Sequence, residues 1–124
     1  YRMHRGIDFP SPNGTPVRAA ASGVVQKVVT KKGESSYGKY LLLCHDNQYS
    51  SLYAHLSRVI VQEGQEITRG DTIGLSGNTG LSKGPHLHFE VFSYDKRIDP
   101  ETIWDLPGKP DNSPFSEKTY ASNP

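Results

Sequence analysis

Five histidines, His4, His45, His55, His86 and His88, are the residues most able to do chemistry here. Neutral imidazole is the commonest protein metal ligand and a common general base near neutral pH. Two of the five fall in "GPHLHFEV", residues 84–91, a run that reads as a β-strand. Residues i and i+2 of a strand point to the same face, so His86 and His88 address one patch of space. Pro85, Leu87, Phe89 and Val91 put apolar groups on the other face. A sheet with one buried face and one histidine-lined face is what the floor of a cleft requires. Glu90 shares the parity of the histidines and is a candidate for an extra base or for a carboxylate that orients a ligating ring.

Two further constellations stand elsewhere. "HRGID" sets His4 four residues before Asp8, with Gly6 allowing the backbone to turn or approach a neighbour. Imidazole and carboxylate are both zinc ligands, and mixed sets are common in catalytic sites. "YAHL" carries His55 on a second strand, whereas His45, between "LLLC" and a turn, reads as structural. A catalytic zinc site needs three protein ligands, an open position, and groups that take a proton from water and stabilise developing charge. His4, Asp8 and one of His86 and His88 supply three ligands. The other histidine of that pair and His55 can then serve the proton and the oxyanion. Spacing alone leaves open which of His86 and His88 touches metal, and both could, with Asp8 outside the set.

The elements that must position these residues are strands. "TPVRAAASGVVQKVVTKKG" opens as a turn and continues as an apolar run over 24–29. "KYLLLCHD" has apolar residues on both faces and reads as a buried strand, "DNQ" as a turn, and "YSSLYAHL" as the returning strand of a hairpin. "RVIVQEGQEITRGDTIGLSGNTG" predicts short strands separated by turns at Gly64, Gly70, Gly74 and Gly77, and "YDKRI" reads as the turn after the H-x-H strand. Asp99 as N-cap and Pro100 at the first position predict one helical turn over 100–104. Residues 107–124 are rich in Pro, Asn, Ser, Lys and Asp and read as a polar C-terminal tail without its own core. The expectation is therefore an all-β chain with many turns, one domain over 1–106.

Composition agrees and narrows the function. A chain of 124 residues suits one domain, and 12 glycines and 9 prolines suit one with many turns. The net charge of +1 and the lack of a long basic run argue against nucleic acid as a partner. Cys44 is alone, so no internal disulfide forms, which fits a reducing compartment or an exported protein that manages without one. No signal peptide or transmembrane stretch is visible in the sequence.

The order H-x-x-x-D, Y-x-H-L and G-P-H-L-H-F-E, with glycine turns between, resembles the lysostaphin/LytM-type zinc metalloendopeptidases from about His4 to Pro100. The resemblance implies a site with one Zn2+ ion on His4, Asp8 and His88, with His55 and His86 as the catalytic pair. Glu90 would be a supporting group and not a ligand. The fold that the resemblance implies is all-β, a mostly antiparallel sheet with a groove-type active site, and 1–106 would be the catalytic domain. It further implies hydrolysis of peptide bonds in bacterial peptidoglycan by zinc-activated water, in an extracytoplasmic enzyme of the periplasm, cell envelope or exterior. Peptidoglycan peptide crosslinks would be the partner, with D,D-crosslinks preferred over glycine bridges. The family pattern begins with a strand ending in F-G-x-R, whereas only "YRM" precedes His4. The expectation is an excised or processed fragment whose sheet edge is covered by a missing N-terminal segment or a second chain.

Two other readings compete. A non-catalytic relative that binds or activates other wall hydrolases would be expected to lack ligands that this chain retains. A biotinyl- or lipoyl-like carrier would share the glycine-spaced hairpins of "VQEGQEITRGDTIG". It would also need a modifiable lysine at a hairpin tip, and it has no use for the histidine and aspartate set.

Overall fold

Period-two alternation sorts the side chains of these strands onto the two faces of one antiparallel sheet. A computed structural model of the protein describes residues 7–31, 35–46, 48–94 and 96–98. His4, the expected helical turn at 100–104 and the tail at 107–124 lie outside the described residues. The described chain forms β1 (Ile7–Pro10), β2 (Pro16–Arg18), β3 (Gly23–Val29), β4 (Lys39–Cys44), β5 (Tyr49–Val59), β6 (Glu66–Ile67), β7 (Thr72–Ser76), β8 (His86–Ser93) and β9 (Lys96–Ile98), with no helix among the described residues. The sheet runs β1-β8-β5-β4-β3-β6, while β7 joins β2 to β5, and β9 pairs with β8.

Register decides which side chains share a face. The cross-strand rows Val25–Leu43–Ser51–Val91 and Leu41–Tyr53–Phe89 lie on the core side. None of these residues is more than 3% exposed. Each large apolar member contributes about 1.5–3 kcal/mol by leaving water. The opposite face carries the rows Asp8–His88–Ala54 and Glu90–Leu52–Leu42. β4 therefore buries one face fully, through Leu41 and Leu43, while Tyr40 and Leu42 on the other are only half-buried.

Three local expectations are corrected. Gly74 lies inside β7, and Gly77 bridges to His86, so neither is a turn. Both are places of close backbone approach. A Cβ on Gly74 would stand 2.7 Å from the Arg58 carbonyl oxygen, and one on Gly77 2.5 Å from the Ser57 nitrogen. "KRI" is β9, which pairs antiparallel with the end of β8 and is not a turn, and Tyr94 at the end of the described chain before it has φ 50. "PVR" is likewise the short strand β2 and not a turn.

The β4–β5 hairpin turns on Asp46, whose Oδ1 accepts the backbone N–H groups of Gln48 and Tyr49 at 2.8 and 2.7 Å. It is tied to the segments around β3 by a polar chain through the core. His45 Nδ1 lies 2.8 Å from the Ser22 carbonyl and its Nε2 2.7 Å from Ser51 Oγ. Ser51 Oγ lies 2.8 Å from the Tyr53 hydroxyl, which accepts the Ala20 N–H at 2.9 Å. A carbonyl can only accept, so Nδ1 carries the imidazole proton and Nε2 is the acceptor. His45 is structural, as the sequence suggested.

Burial pushes the His45 pKa below 6.5, against the opposing pull of the Ser22 carbonyl and Asp46. As pH falls below 6.5, the unfolded chain binds a proton that the folded chain resists, so stability falls with it. His45→Gln should cost about 1–3 kcal/mol near neutrality. That penalty should shrink between pH 7.5 and 5.5, read from urea denaturation midpoints. A penalty that is constant with pH would show that His45 is not held neutral.

Candidate functional site

Asp8 and His88 are direct cross-strand partners on β1 and β8, and their side chains meet with His88 Nδ1 2.6 Å from Asp8 Oδ1. The other nitrogen of the ring, Nε2, lies 2.6 Å from Glu90 Oε2. Glu90 is 2% exposed. A buried carboxylate is tolerated only when its charge is matched by partners, and the fold supplies three. Besides His88, the Tyr37 hydroxyl donates to both Glu90 oxygens at 3.0 and 2.9 Å, and Arg97 Nε stands 3.2 Å from Oε1. Tyr37 precedes β4, and its ring stacks on His88 with centroids 6.0 Å apart. Burial and the charge of Glu90 push the Tyr37 pKa up to about 12, so its hydroxyl remains a donor.

His55 reaches the same space by breaking the pleat. Ala54 lies opposite His88 on the cleft face, so regular alternation would send His55 towards the core. His55 instead has φ 60, an unfavourable conformation for a residue with a side chain. This turns the ring back to the cleft, with centroids 4.9 Å from His86 and 5.9 Å from His88. The surroundings hold the strained residue in place. Its N–H donates to the Tyr37 carbonyl at 2.8 Å, and its Nδ1 lies 2.6 Å from the Thr79 carbonyl.

These contacts assign all three tautomers. His55 Nδ1–H donates to the Thr79 carbonyl, and His86 Nδ1–H donates to the Gly84 carbonyl at 2.7 Å, with Ser82 Oγ at 3.2 Å. Nε2 of each ring is therefore the free acceptor. His88 is the reverse, because Glu90 takes its Nε2–H and Nδ1 offers the lone pair. His86 Nε2 lies 3.6 Å from Asp8 Oδ1, so it belongs to the same cluster. Burial lowers the His55 pKa below 6.5 against the Thr79 hydrogen bond, and the neighbouring His86 and His88 lower it further. For His88, burial acts to lower the pKa, but the hydrogen bonds and charges of Glu90 and Asp8 outweigh it and raise the pKa above 6.5.

Two acceptors at the separation of His88 Nδ1 and Asp8 Oδ1 need a cation between them, a proton or a metal ion. The donor set suits Zn2+, one imidazole and one carboxylate, and Glu90 on the far nitrogen is the arrangement that orients a ligating histidine. The third expected ligand, His4, is outside the described residues, and among those described no group of three metal-ligating side chains forms. The structure thus gathers Asp8, His55, His86 and His88 into one cluster. The adjoining cleft has a volume of about 450 Å³ and is lined in part by Ser36, Tyr37, Leu81 and Arg97. Sequence reasoning missed Tyr37, Thr79 and Arg97. Parity on β9 could have signalled Arg97 had that strand been recognised; nothing local marks Tyr37 or Thr79.

The family model "Peptidase family M23" matches residues 2–100. The chain belongs to peptidase family M23. Among M23 relatives, it is 47% identical over 88 residues to the peptidoglycan DD-endopeptidase ShyA of Vibrio cholerae, covering 71% of this chain and 20% of that protein. It is 45% identical over 107 residues to an uncharacterized metalloprotease of Haemophilus influenzae, covering 86% of this chain and 22% of that protein. Its fold superposes on a zinc-containing peptidase from Vibrio cholerae with TM-score 0.74 and 40% identity, over 84% of this chain and 31% of that one. It also superposes on the catalytic domain of lysostaphin from Staphylococcus simulans with TM-score 0.72 and 35% identity, over 80% and 77% of the two chains. The chain spans 20–27% of the length of the curated relatives it matches.

In metal-free protein, nitrogen-detected NMR titration should place His55 below 6.5 and His88 above it. Glu90→Gln should move the His88 titration downwards, because the carboxylate that favours the charged ring is gone. An unchanged His88 titration in that variant would disprove the link to Glu90.

Proposed function

We propose that this domain is the catalytic unit of a zinc-dependent endopeptidase that hydrolyses peptide crosslinks of bacterial peptidoglycan, preferring D,D bonds, outside the cytoplasm. The observation that carries this reading is the set of ring orientations. Two imidazoles, His55 and His86, point free Nε2 atoms into the space beside the Asp8–His88 pair. Membership of M23 and similarity to a peptidoglycan DD-endopeptidase of Vibrio cholerae support the substrate class.

In this reading His4, Asp8 and His88 would hold one Zn2+, to which Nδ1 is the His88 atom with a lone pair to offer. Zinc there would supply Lewis acidity, which makes water nucleophilic near neutral pH. Glu90, itself held by Tyr37 and Arg97, keeps the Nε2 proton of His88 and fixes the ring plane. His55, neutral at pH 7, has the open acceptor that general-base work requires. With ring centroids 4.9 Å apart, His55 and His86 are close enough to address one scissile amide from the same side. Between them they take the proton of water as its oxygen bonds to the carbonyl carbon, and return a proton to the amide nitrogen as the C–N bond breaks. Arg97 and Tyr37 bound the cleft beside this space and help to exclude alternative positions of the peptide.

His88→Ala should lose bound zinc as measured by metal analysis, and activity with it. His86→Ala and His55→Ala should retain zinc and lose about 10²–10⁴-fold in kcat on purified crosslinked muropeptides. A chelator should abolish the cleavage seen by product mass. Cleavage that survives chelation would sink the proposal. So would wall-lytic stimulation that is equal in wild type and His88→Ala, which would mark a scaffold.

A further inference from the structure

One loop serves two rings of the cleft. The Thr79 carbonyl holds Nδ1 of His55 at 2.6 Å, while the Gly84 carbonyl and Ser82 Oγ hold Nδ1 of His86 at 2.7 and 3.2 Å. Leu81 lies between these supports. Residues 77–84 are otherwise glycine, asparagine, threonine, serine and lysine, so Leu81 is their one aliphatic side chain. It lines the cleft with His55 and His88 and is 79% exposed. A single exposed leucine is ordinary on a protein surface and needs no explanation by itself. Leu81 differs in its place and in how firmly that place is held. Phe9, Val24, Ile60 and Tyr94 are the other exposed large apolar side chains among the described residues, and none of them lines the cleft.

The backbone beneath Leu81 is clamped. Its N–H donates to the Ser36 carbonyl at 2.8 Å. The preceding Gly80 has φ 74, and a Cβ there would collide with the Gly38 nitrogen. Gly38 has φ 67, and a Cβ on it would collide with the Thr79 carbonyl carbon. The two segments therefore pack main chain against main chain, with no space for a side chain between them. Thr79 Oγ1 adds a third tie, accepting the Lys39 N–H at 3.0 Å and donating to the Leu56 carbonyl at 2.7 Å. The loop that fixes the two imidazoles thus also fixes the Leu81 backbone relative to them. A contact made from a backbone already fixed loses little freedom when a ligand arrives.

An apolar side chain distinguishes ligands by the apolar surface that it can cover and that can cover it. A glycine offers no side chain for this, and an alanine offers a methyl group. We infer that Leu81 is a specificity-determining residue of the cleft, selecting crosslinks that carry an aliphatic side chain beside the scissile bond over glycine bridges. The inference rests on the peptidase reading of the cleft and gives its preference for D,D bonds a physical source. An alanyl substrate removes both its own methyl and part of Leu81 from water, whereas a glycine bridge leaves more of Leu81 wet. The main-chain atoms at 79 and 84 hold the rings whatever side chain stands at 81. Substrate choice can therefore change there without moving the acid–base groups.

The test uses two purified peptides, a D-alanyl crosslink and the same peptide with glycine on both sides of the scissile bond. Wild type should cut the alanyl peptide with the higher kcat/KM. In Leu81→Ala and Leu81→Asn the alanyl-to-glycyl ratio of kcat/KM should fall about fourfold, the worth of one buried methylene. Leu81→Met, which keeps the apolar surface, should retain the ratio. Bound zinc and thermal midpoint should be kept in all three variants. Equal loss on both peptides, or a ratio that Leu81→Ala leaves unchanged, would overturn the inference. Leucine-methyl NMR reads the contact without turnover, as an uncleaved tetrapeptide ending in D-alanine or in glycine is added. The Leu81 methyl signals should shift more with the alanyl form. If wild type cuts neither peptide yet shows that difference, the peptidase reading fails and the contact stands. If it cuts the alanyl peptide while the Leu81 signals respond alike to both tetrapeptides, the contact fails alone. No cleavage and no difference would overturn both.

Discussion

An ionised carboxylate cannot sit beneath a sheet face without partners, and much of the site follows from meeting that demand at Glu90. With 2% exposure it must be matched by nearby donors. The three groups that match it come from separate parts of the chain, His88 on β8 itself, Tyr37 before β4 and Arg97 on β9. Their convergence fixes the ring of His88, covers one side of the cleft and closes the edge of the sheet over the site. One buried charge thereby sets the orientation of the His88 ring, the proposed ligand, and also builds the local wall. Replacing Glu90 by an apolar residue would remove the reason for those groups to assemble.

How much of this was legible in the sequence depended on whether period-two alternation held. It held along β8, so the shared direction of His86, His88 and Glu90, and the apolar backing by Phe89 and Val91, could be read from one short string. It held for the β4–β5 hairpin, whose Asp46 turn has the expected chemistry. It failed at His55, where a positive φ reverses the side-chain direction. Residue type and the motif resemblance brought that residue to the site, and strand parity did not. It also failed at Gly74 and Gly77, where glycine serves close approach of backbones and not reversal. β9 was missed because a strand of three residues, two exposed charges and the single apolar Ile98, is too short for alternation to show. Tyr37 and Thr79 lie in loops, and their roles exist only after strands distant in sequence have paired.

The loop residue Thr79 shows how economically the fold divides its labour. Its hydroxyl joins the start of β4 to β5, and its carbonyl orients His55. The bend that strains His55 is thus opposed by contacts on two sides, from Thr79 and from the Tyr37 carbonyl. Strain of this kind costs of order 1–3 kcal/mol and persists only where the surroundings over-determine it. The site is accordingly held ready before any peptide arrives, which lowers the reorganisation needed in the reaction.

The three imidazoles of the cluster differ in what holds them. His55 and His86 are held by the main-chain carbonyls of Thr79 and Gly84, whereas His88 is held by the side chain of Glu90. A main-chain carbonyl is present whatever residue occupies the position. The proton placement of these two rings, the proposed acid–base pair, is therefore buffered against point substitution at their supports, and is lost only when a loop changes length or path. The proton placement of His88 is exposed to a single codon. Drift in the loops would leave the tautomers of His55 and His86 in place, whereas change at position 90 strikes directly at the ring proposed to hold the cation.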